Sequence, residues 1–481
     1  MNCNDIVFSK KILLKEGALY KIFPASIEIS GNQIINVTKL SLESYQDSIR
    51  KETEINRRNI HDFGDRLITP AFINCHTHIA MNFFRSFYHH DSKSKNLIED
   101  FFYKAESALT PQDVQAFARI GAFENILNGN GLIWDHYYHG EEIAKACQAV
   151  GITAVIAPTI QDISGPGVAI NQKMLEQTVN IHSNTNFEKS GIFAAFGPHA
   201  TDTVSKEMWL NILNLSHELN LPIHTHVSQS LEEVTRIYKK FKKTPVQFLD
   251  SLGVTKNPAS NLFVHCIYLN KNDLKILQGK NNALVFCPFS QLIFQSPANV
   301  LDWDKNKIKW FIATDCVASN DSMNLQKELK LVAGFPKFQA TLNLNAKLMN
   351  KYSEKNQKQF IKDNNEIRKS YKKFSEPNFL LNKIFEGPGT FHNNFKAGII
   401  QTGSLANLIV WDVTHPAMWP AENLSKILAM GDTTSAIYNM MLAGKWISKN
   451  GDFVNGILQS DLYKMSLNEA NIRLKHLIQK L

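Results

Sequence analysis

Histidines in two His-x-His pairs have the clearest capacity for chemistry in this 481-residue chain. His76 and His78 end the apolar run Ile68–His78, and His224 and His226 end a later apolar run. Side chains alternate along a strand, so both histidines of a pair leave the same face. Imidazoles placed in this way suit a borderline divalent cation. One pair alone is equally typical of an ordinary strand end.

Eight apolar runs, with helical stretches such as Pro111–Leu127 and Glu207–Leu219 between most of them, must position these residues. Strand and helix repeated eight times predict a (β/α)8 TIM barrel of the α/β class. A doubly wound sheet is the alternative, but no glycine-rich phosphate motif follows any run. The runs are Ala71–Cys75, Leu132–Asp135, Thr153–Ala157, Ile192–Phe196, Pro222–His226, Leu262–Cys266, Ala283–Cys287 and Trp310–Thr314.

Polar residues at the carboxyl ends of these runs indicate function, because the active site of a TIM barrel lies at that rim. Several imidazoles and one carboxylate on a single rim predict a metal site. His224 lies about 6–7 Å deeper than His226, two residues at the strand rise, and is expected to be core or to support a ligand. The other rim residues are His199, Gln229, His265, Ser290, Asp315, Ser319 and Asn320.

The two ends of the chain are rich in β-like sequence and are predicted to form one small domain beside the barrel. The predicted organisation is 1–67 and 386–460 as the two parts of a β-sandwich, 68–385 as the barrel and 461–481 as a terminal helix. Its β-like pieces include Asp5–Phe8, Ser26–Ile29, Gln33–Val37, Ala397–Asp412 and the hairpin segment Ser435–Gly451.

Composition excludes several classes of protein. The chain is 44% hydrophobic and 20% charged, as in ordinary globular proteins. Its net charge of +8 is spread out and densest in Lys337–Lys373, an oligomer contact or a surface insertion, so no nucleic-acid surface is predicted. Six cysteines without a CxxC spacing, with no signal peptide and no apolar run of membrane length, predict a reduced cytoplasmic protein without a membrane partner.

Motifs spanning nearly the whole chain resemble the amidohydrolase superfamily, in its branch of cytosine, guanine and adenosylhomocysteine deaminases and triazine chlorohydrolases. The matching segments are PAFINCHTHIAMNFFRSF, FGPHATD, HTHVSQS, FVHCIYL, CPFSQ, ATDCVASNDSMNL and GSLANLIVWD. They occur in the order of the family. The resemblance implies a barrel flanked by a β-sandwich made from both termini.

The resemblance also implies a mononuclear metal centre, with zinc expected and iron as the alternative. Binuclear relatives carry a bridging lysine on the fourth strand, and Gly191–His199 contains none. By position, the implied ligands are His76, His78, His226 and Asp315.

In the mechanism implied by the resemblance, water activated by the metal attacks an electrophilic carbon of a nitrogen heterocycle. Asp315 acts as general base, and His265 binds the attacking water or stabilises developing charge. His199 contacts the substrate. Ammonia release makes the expected activity a hydrolytic deaminase.

Gln229 departs from the family pattern, in which a glutamate stands three residues after the fifth-strand histidine and shuttles protons. A glutamine amide donates hydrogen bonds but releases no proton near neutral pH. Glu233 follows closely, but Ser230-x-x-Glu233 has capping-box spacing and predicts a helix start. The alternatives are therefore hydrolysis of a carbon–chlorine or amide bond, or a metal-binding protein without turnover.

Aromatic and basic side chains in Met81–His90 and Trp134–His139 suit a flat, largely apolar ligand with hydrogen-bonding edges. Arg85 is expected to meet an anionic or carbonyl group, and Ser319 to shape the pocket. Contacts of these aromatic side chains in a lid or a dimer are the alternative. A homodimer acting on a small molecule is expected.

Overall fold

The structure is a computed structural model that describes residues 5–55, 59–86, 98–294, 296–336, 353, 356–448 and 451–481. Its strands fall into a barrel, β6–β14, and a sheet made from both ends of the chain. In order they are β1 (Asp5–Glu16), β2 (Leu19–Ser30), β3 (Gln33–Lys39), β4 (Asn59–Asp62), β5 (Leu67–Pro70), β6 (Phe72–Thr77), β7 (Asn130–Tyr137), β8 (Thr153–Ile160), β9 (Ile192–Ala194), β10 (Gly197–Pro198), β11 (Ile223–Val227), β12 (Asn261–His265), β13 (Asn282–Phe286), β14 (Lys309–Ile312), β15 (Leu408–Trp411), β16 (Ile437–Leu442) and β17 (Lys445–Trp446).

Helices follow most barrel strands, as the alternating pattern predicts. The helix bounds are Tyr45–Ile55, Tyr103–Ser107, Pro111–Leu127, Gly140–Val150, Asn171–Ser183, Thr185–Lys189, Lys206–Leu219, Leu231–Phe241, Pro245–Leu252, Lys271–Ile276, Pro288–Ile293, Val300–Lys305, Val317–Asn320, 325–336, Gln357–Ser370, Pro377–Asn382, Glu386–Gly389, Leu424–Met430, Phe453–Leu458 and Asp461–Lys480. A 3₁₀ segment, Ile79–Ser86, leaves the first barrel strand.

The barrel closes through backbone contacts between two parallel sheets. One sheet runs β6–β7–β8–β10, with β9 also paired to β8, and the other runs β11–β12–β13–β14. Phe196 N donates to Pro222 O at 2.9 Å on one side, and Asp315 N donates to His76 O at 3.2 Å on the other. The predicted (β/α)8 barrel is confirmed, with its fourth strand split into β9 and β10.

Burial explains why the barrel strands read as continuous apolar runs, since both faces of a parallel barrel strand are covered. Every residue of β6, β7 and β8 is buried. The side chains that fill the barrel below its rim form one cluster that includes Ile73, Trp134, Val155, Val264 and Phe311. This packed floor leaves the carboxyl rim as the place for polar side chains.

The predicted β domain made from both termini is present, and its strands belong to one hydrogen-bonded sheet. The sheet order is β17–β16–β15–β5–β1–β2–β3, with β4 paired to β1. Strand β5 joins the two ends, because it pairs in parallel with β1 and antiparallel with β15. The domain limits at residues 67, 385 and 460 stay a prediction.

The state of the cysteines and the hydropathy of the helices can be compared with the predictions of a reduced protein without membrane-spanning segments. In the part of the chain that the structure describes, the thiols of Cys75, Cys147, Cys266, Cys287 and Cys316 are free and buried. Among the described helices, none combines the length and the apolar composition needed to cross a membrane. Residues 337–352 and 354–355 of the lysine-rich stretch 337–373 lie outside the described residues.

Gly121 lets the helix Pro111–Leu127 approach the 3₁₀ segment closely, since a Cβ there would lie 2.1 Å from the carbonyl oxygen of Ile79. We expect Gly121→Ala to lower the free energy of unfolding by about 2–3 kcal/mol, because backbone must move. Gly334 is a matched control: it is helical and exposed, and a Cβ there meets nothing within 4 Å. Gly334→Ala should raise stability by about 0.5–1 kcal/mol. Urea unfolding of both variants measures the difference.

Candidate active site

Four residues predicted as metal ligands come together at the carboxyl rim of the barrel. His76 lies in β6, His78 just beyond it, His226 in β11 and Asp315 just after β14. Both His76 Nε2 and His78 Nε2 lie 3.4 Å from Asp315 Oδ1. One nitrogen from each of the three imidazoles lies within 4.8 Å of the others. Residues far apart in sequence therefore share one small volume.

The donor set fits a divalent metal. Three imidazoles and one carboxylate are ligands of zinc and of related ions. His76 Nε2 is buried without a hydrogen-bond partner among the described residues, which is the condition of a nitrogen that a cation would satisfy. His265 also approaches, since it, His76 and Asp315 each offer one atom within 4.8 Å of the others.

Supporting contacts fix the orientation of the three imidazoles. His78 Nδ1 hydrogen bonds the carbonyl oxygen of His136, and His226 Nδ1 hydrogen bonds the carbonyl oxygen of His199 at 2.9 Å. His76 Nδ1 lies 2.9 Å from His224 Nε2, so His224 supports His76 from below, as its strand position predicts. Each imidazole thereby keeps its Nε2 for the rim, the arrangement typical of metal-binding histidines.

Burial keeps most of these imidazoles neutral. It lowers the pKa of His76 to about 3 and that of His226 well below its ordinary value. A neutral imidazole has a free lone pair for a metal. At His78, burial also opposes protonation, but the carboxylate of Asp315 raises the pKa overall.

Asp315 is the anionic centre of the site. Burial opposes its ionisation, but the adjacent imidazoles of His76 and His78, each with Nε2 3.4 Å from Oδ1, hold its pKa well below the ordinary value. Ser290 Oγ donates to Oδ2 of this carboxylate at 2.7 Å, and Ser319 Oγ lies 3.4 Å from the same oxygen. The predicted pocket residue Ser319 thus contacts the carboxylate directly.

Asp315 and His265 both have left-handed backbone, with φ of 64° and 72°. Such φ values are uncommon outside glycine and cluster at functional sites. At both residues the chain turns out of a barrel strand towards the rim. Strand periodicity alone does not predict these turns.

An inner cavity of about 70 Å³ lies above Asp315 and is lined by both aromatic and polar side chains. His199 and Gln229 are among its polar lining residues, and Tyr103 and Phe294 contribute apolar surface. His199 Nδ1 hydrogen bonds Thr203 Oγ1 at 3.0 Å, which fixes its ring. This mixture suits the flat heterocycle predicted from sequence.

Arg85, predicted to contact substrate, is placed elsewhere. Its guanidinium donates to Glu124 Oε1 at 2.6 Å, its side chain is 41% exposed, and it does not line the described wall of the inner cavity. Of its aromatic neighbours, Phe83 and Phe84 are buried in the core. Met81 lines the cavity, and residues 87–90 lie outside the described part of the chain.

Gln229 lies beside an unusual buried carboxyl group. Ser230 caps the helix Leu231–Phe241, as predicted, by accepting from Glu233 N at 3.1 Å. The reciprocal capping-box bond is replaced, because Glu233 Oε2 accepts from Gln229 N at 2.8 Å and Oε1 accepts from the Thr201 hydroxyl. Glu233 is only 3% exposed.

Two other polar residues of the inner cavity are His136, which lies within the predicted ligand-contacting stretch Trp134–His139 but was not singled out, and Glu106, which sequence reasoning missed. His136 ends β7, so the rule of polar residues at strand ends would have found it. Glu106 lies in the short helix Tyr103–Ser107, and no local signal marked it. Burial raises the pKa of Glu106 to about 7, and its carboxyl group lies beside Tyr137.

Curated relatives cover most of the chain. A 5-methylthioadenosine/S-adenosylhomocysteine deaminase of Caldanaerobacter subterraneus subsp. tengcongensis is 28% identical over 412 residues, covering 85% of this chain and 87% of the relative. A 5'-deoxyadenosine deaminase of Methanococcus vannielii is 28% identical over 452 residues, covering 93% and 96%.

Solved structures share the complete fold. An adenosine deaminase from Xanthomonas campestris with bound zinc superposes with a TM-score of 0.78 at 17% identity and covers 100% of this chain and 99% of that chain. An atrazine chlorohydrolase from Arthrobacter aurescens TC1 with zinc gives 0.76 at 15% identity, covering 97% and 99%. The family model described as "Amidohydrolase family" matches residues 67–358. The chain therefore belongs to the amidohydrolase family.

Proposed function

We propose that this protein is a metal-dependent hydrolytic deaminase of an adenine nucleoside. The observation that carries the proposal is the convergence of His76, His78, His226 and Asp315 on one volume beside a cavity with aromatic and polar walls. The names of the two curated relatives point to nucleosides whose 5' position carries no phosphate. We expect one zinc ion per chain, a homodimer and a cytoplasmic location.

The four proposed ligands would hold the metal, which would lower the pKa of the attacking water and polarise the reacting carbon. Asp315 accepts a proton from that water, because its carboxylate is ionised and lies at the centre of the site. His265 hydrogen bonds the water or the developing oxyanion. His199 and Ser319 orient the heterocycle from the cavity wall.

Gln229 has a binding role in this scheme. Its amide can donate a hydrogen bond to a ring nitrogen and accept one from an exocyclic amino group. It holds the ring in place and supplies no proton. The net reaction takes one water and one aminopurine ring, and it gives one lactam and one ammonia.

Hydrolysis of a carbon–halogen bond is the second candidate, favoured by Gln229 itself, since chloride leaves without being protonated. An ammonia- and chloride-release assay on zinc-loaded protein separates the two. We expect ammonia from 5'-deoxyadenosine or 5-methylthioadenosine and no chloride from chlorotriazines. Bound zinc with neither product would indicate a binding protein without turnover.

A further inference from the structure

The missing glutamate at position 229 leaves the leaving nitrogen without an evident proton donor. A proton donor here must be a titratable group that reaches the reacting atoms directly or through bound water. Among the described residues of the two neighbouring cavities, Glu106 and Glu233 are the buried carboxyl groups other than Asp315, which already serves as the base. They lie on different sides of the rim.

An outer chamber of about 320 Å³ adjoins the inner cavity, and His199, Gln229 and His265 line both. Glu233 lines this chamber on the side of Gln229. A space of this volume holds several water molecules, and its polar walls can bind them. Water in this chamber can therefore connect Glu233 with the neighbourhood of His265.

Resting on the proposed deaminase function, we propose that Glu233 is the proton donor for the leaving amino group and acts through water of the outer chamber. Its two oxygens accept from Gln229 N and from the Thr201 hydroxyl, which fixes the carboxyl group, and Glu233 lines the chamber. Glu233 lies one helical turn beyond Gln229. In this proposal the proton donor lies four residues after the position at which the family has its glutamate.

The proton balance closes. The oxygen of water bonds the ring carbon, and the proton taken up by Asp315 passes to the ring nitrogen, which received the C=N electron pair. Glu233 then protonates the amino nitrogen as the carbon–nitrogen bond breaks with its electrons. The new hydroxyl loses its proton to form the carbonyl, and this proton returns to Glu233 through the chamber water. Ammonia leaves, and both carboxyl groups regain their starting states.

Charges around Glu233 favour its protonated form. Asp202 and Glu99 both face Arg236, at 3.1 and 2.7 Å, so the guanidinium is shared by two other carboxylates. Burial, the largest cause, and the neighbouring Asp202 together raise the pKa of Glu233 to about 7, against the hydrogen bonds to its carboxyl group, which lower the pKa. On the β12 side, burial raises the pKa of the Cys266 thiol and lowers that of the His265 imidazole, so both groups are uncharged.

Glu106 is the less suitable donor. It lies beside Tyr137 at the end of β7, whereas Gln229 follows β11, and β8 and β10 separate these strands around the barrel. The buried carboxyl group in direct contact with Gln229 is that of Glu233, which accepts from Gln229 N at 2.8 Å.

The test compares Glu233→Gln, Gln229→Glu and the double variant as zinc-loaded proteins, in ammonia release from 5'-deoxyadenosine. We expect Glu233→Gln to lower kcat by about 10²-fold or more, with little change in KM. Wild-type kcat should fall as pH rises through about 7, where Glu233 loses its proton, and this fall should vanish in Glu233→Gln. Gln229→Glu should restore activity to Glu233→Gln by at least about 10-fold.

Glu232→Gln is the matched control, since this carboxylate is adjacent and exposed, and its kcat should be unchanged. A Glu233→Gln variant as active as wild type would overturn the assignment of Glu233 as proton donor but not the proposed deaminase function. So would a folded, inactive variant that Gln229→Glu does not rescue, because that result indicates a structural role. A wild-type protein that releases no ammonia contradicts the assignment and the proposed function together.

Discussion

Asp315→Asn should reduce ammonia release by at least about 10³-fold, the largest effect expected of any single substitution. Asparagine keeps the shape of the side chain but removes both the anionic ligand and the proton acceptor. The loss should appear in kcat, because the carboxylate acts on the attacking water and not on substrate binding. Steady-state kinetics on protein reconstituted with zinc, with metal content determined for each sample, give the measurement.

Asp321→Asn provides the control for Asp315→Asn. Asp321 lies six residues further on, is exposed, and has left-handed backbone that asparagine tolerates. Its activity should match wild type. Substantial turnover by Asp315→Asn at full zinc occupancy would remove Asp315 from the role of general base.

His224→Phe should weaken zinc binding by about 10- to 100-fold, the usual cost of losing a group that supports a metal ligand. Phenylalanine keeps a ring against Trp134, whose centroid lies 5.9 Å from that of His224. It leaves His76 Nδ1 without its partner at 2.9 Å, so the ligand ring loses its orientation. Competition with a chromophoric chelator measures the zinc dissociation constant without reference to activity.

His392→Phe is the matched control for this prediction. His392 is buried, its ring lies 5.8 Å from that of Trp134, and its Nε2 hydrogen bonds the carbonyl oxygen of Ala194. It contacts none of the proposed ligands in the described structure. Equal zinc affinities of the two variants would show that ring packing, and not the bond to His76, is what His224 supplies.

The periodicity of apolar residues and the position of polar residues at strand ends were enough to predict which candidate metal ligands lie together. The eight apolar runs specify a closed parallel barrel, and the carboxyl ends of such strands meet on one rim. His76 and His226 could therefore be placed together although 150 positions separate them in the sequence. The depth of His224 followed from the two-residue repeat of a strand, and the contact with His76 agrees with it.

The side-chain contacts between residues distant in sequence were harder to predict from the sequence. Arg85 was expected to bind substrate because it is a basic residue that follows the first barrel strand. In the structure its guanidinium instead donates to Glu124, which lies 39 residues later on the adjacent helix. Glu233 looked like a capping residue, and only its hydroxyl partner Thr201 and its place beside the outer chamber distinguish it from one. Glu106 reaches the cavity from a short helix without strong periodicity.

The sequence by itself determined the fold class, the ligand residues to be tested and the anomaly at Gln229, because burial and alternation are local properties that residue order records. The tertiary structure decided which buried acids and bases face one another, since such contacts depend on how the barrel closes and where its rim loops turn. The left-handed turns at His265 and Asp315 and the inward carboxyl of Glu233 are the outcome of that closure.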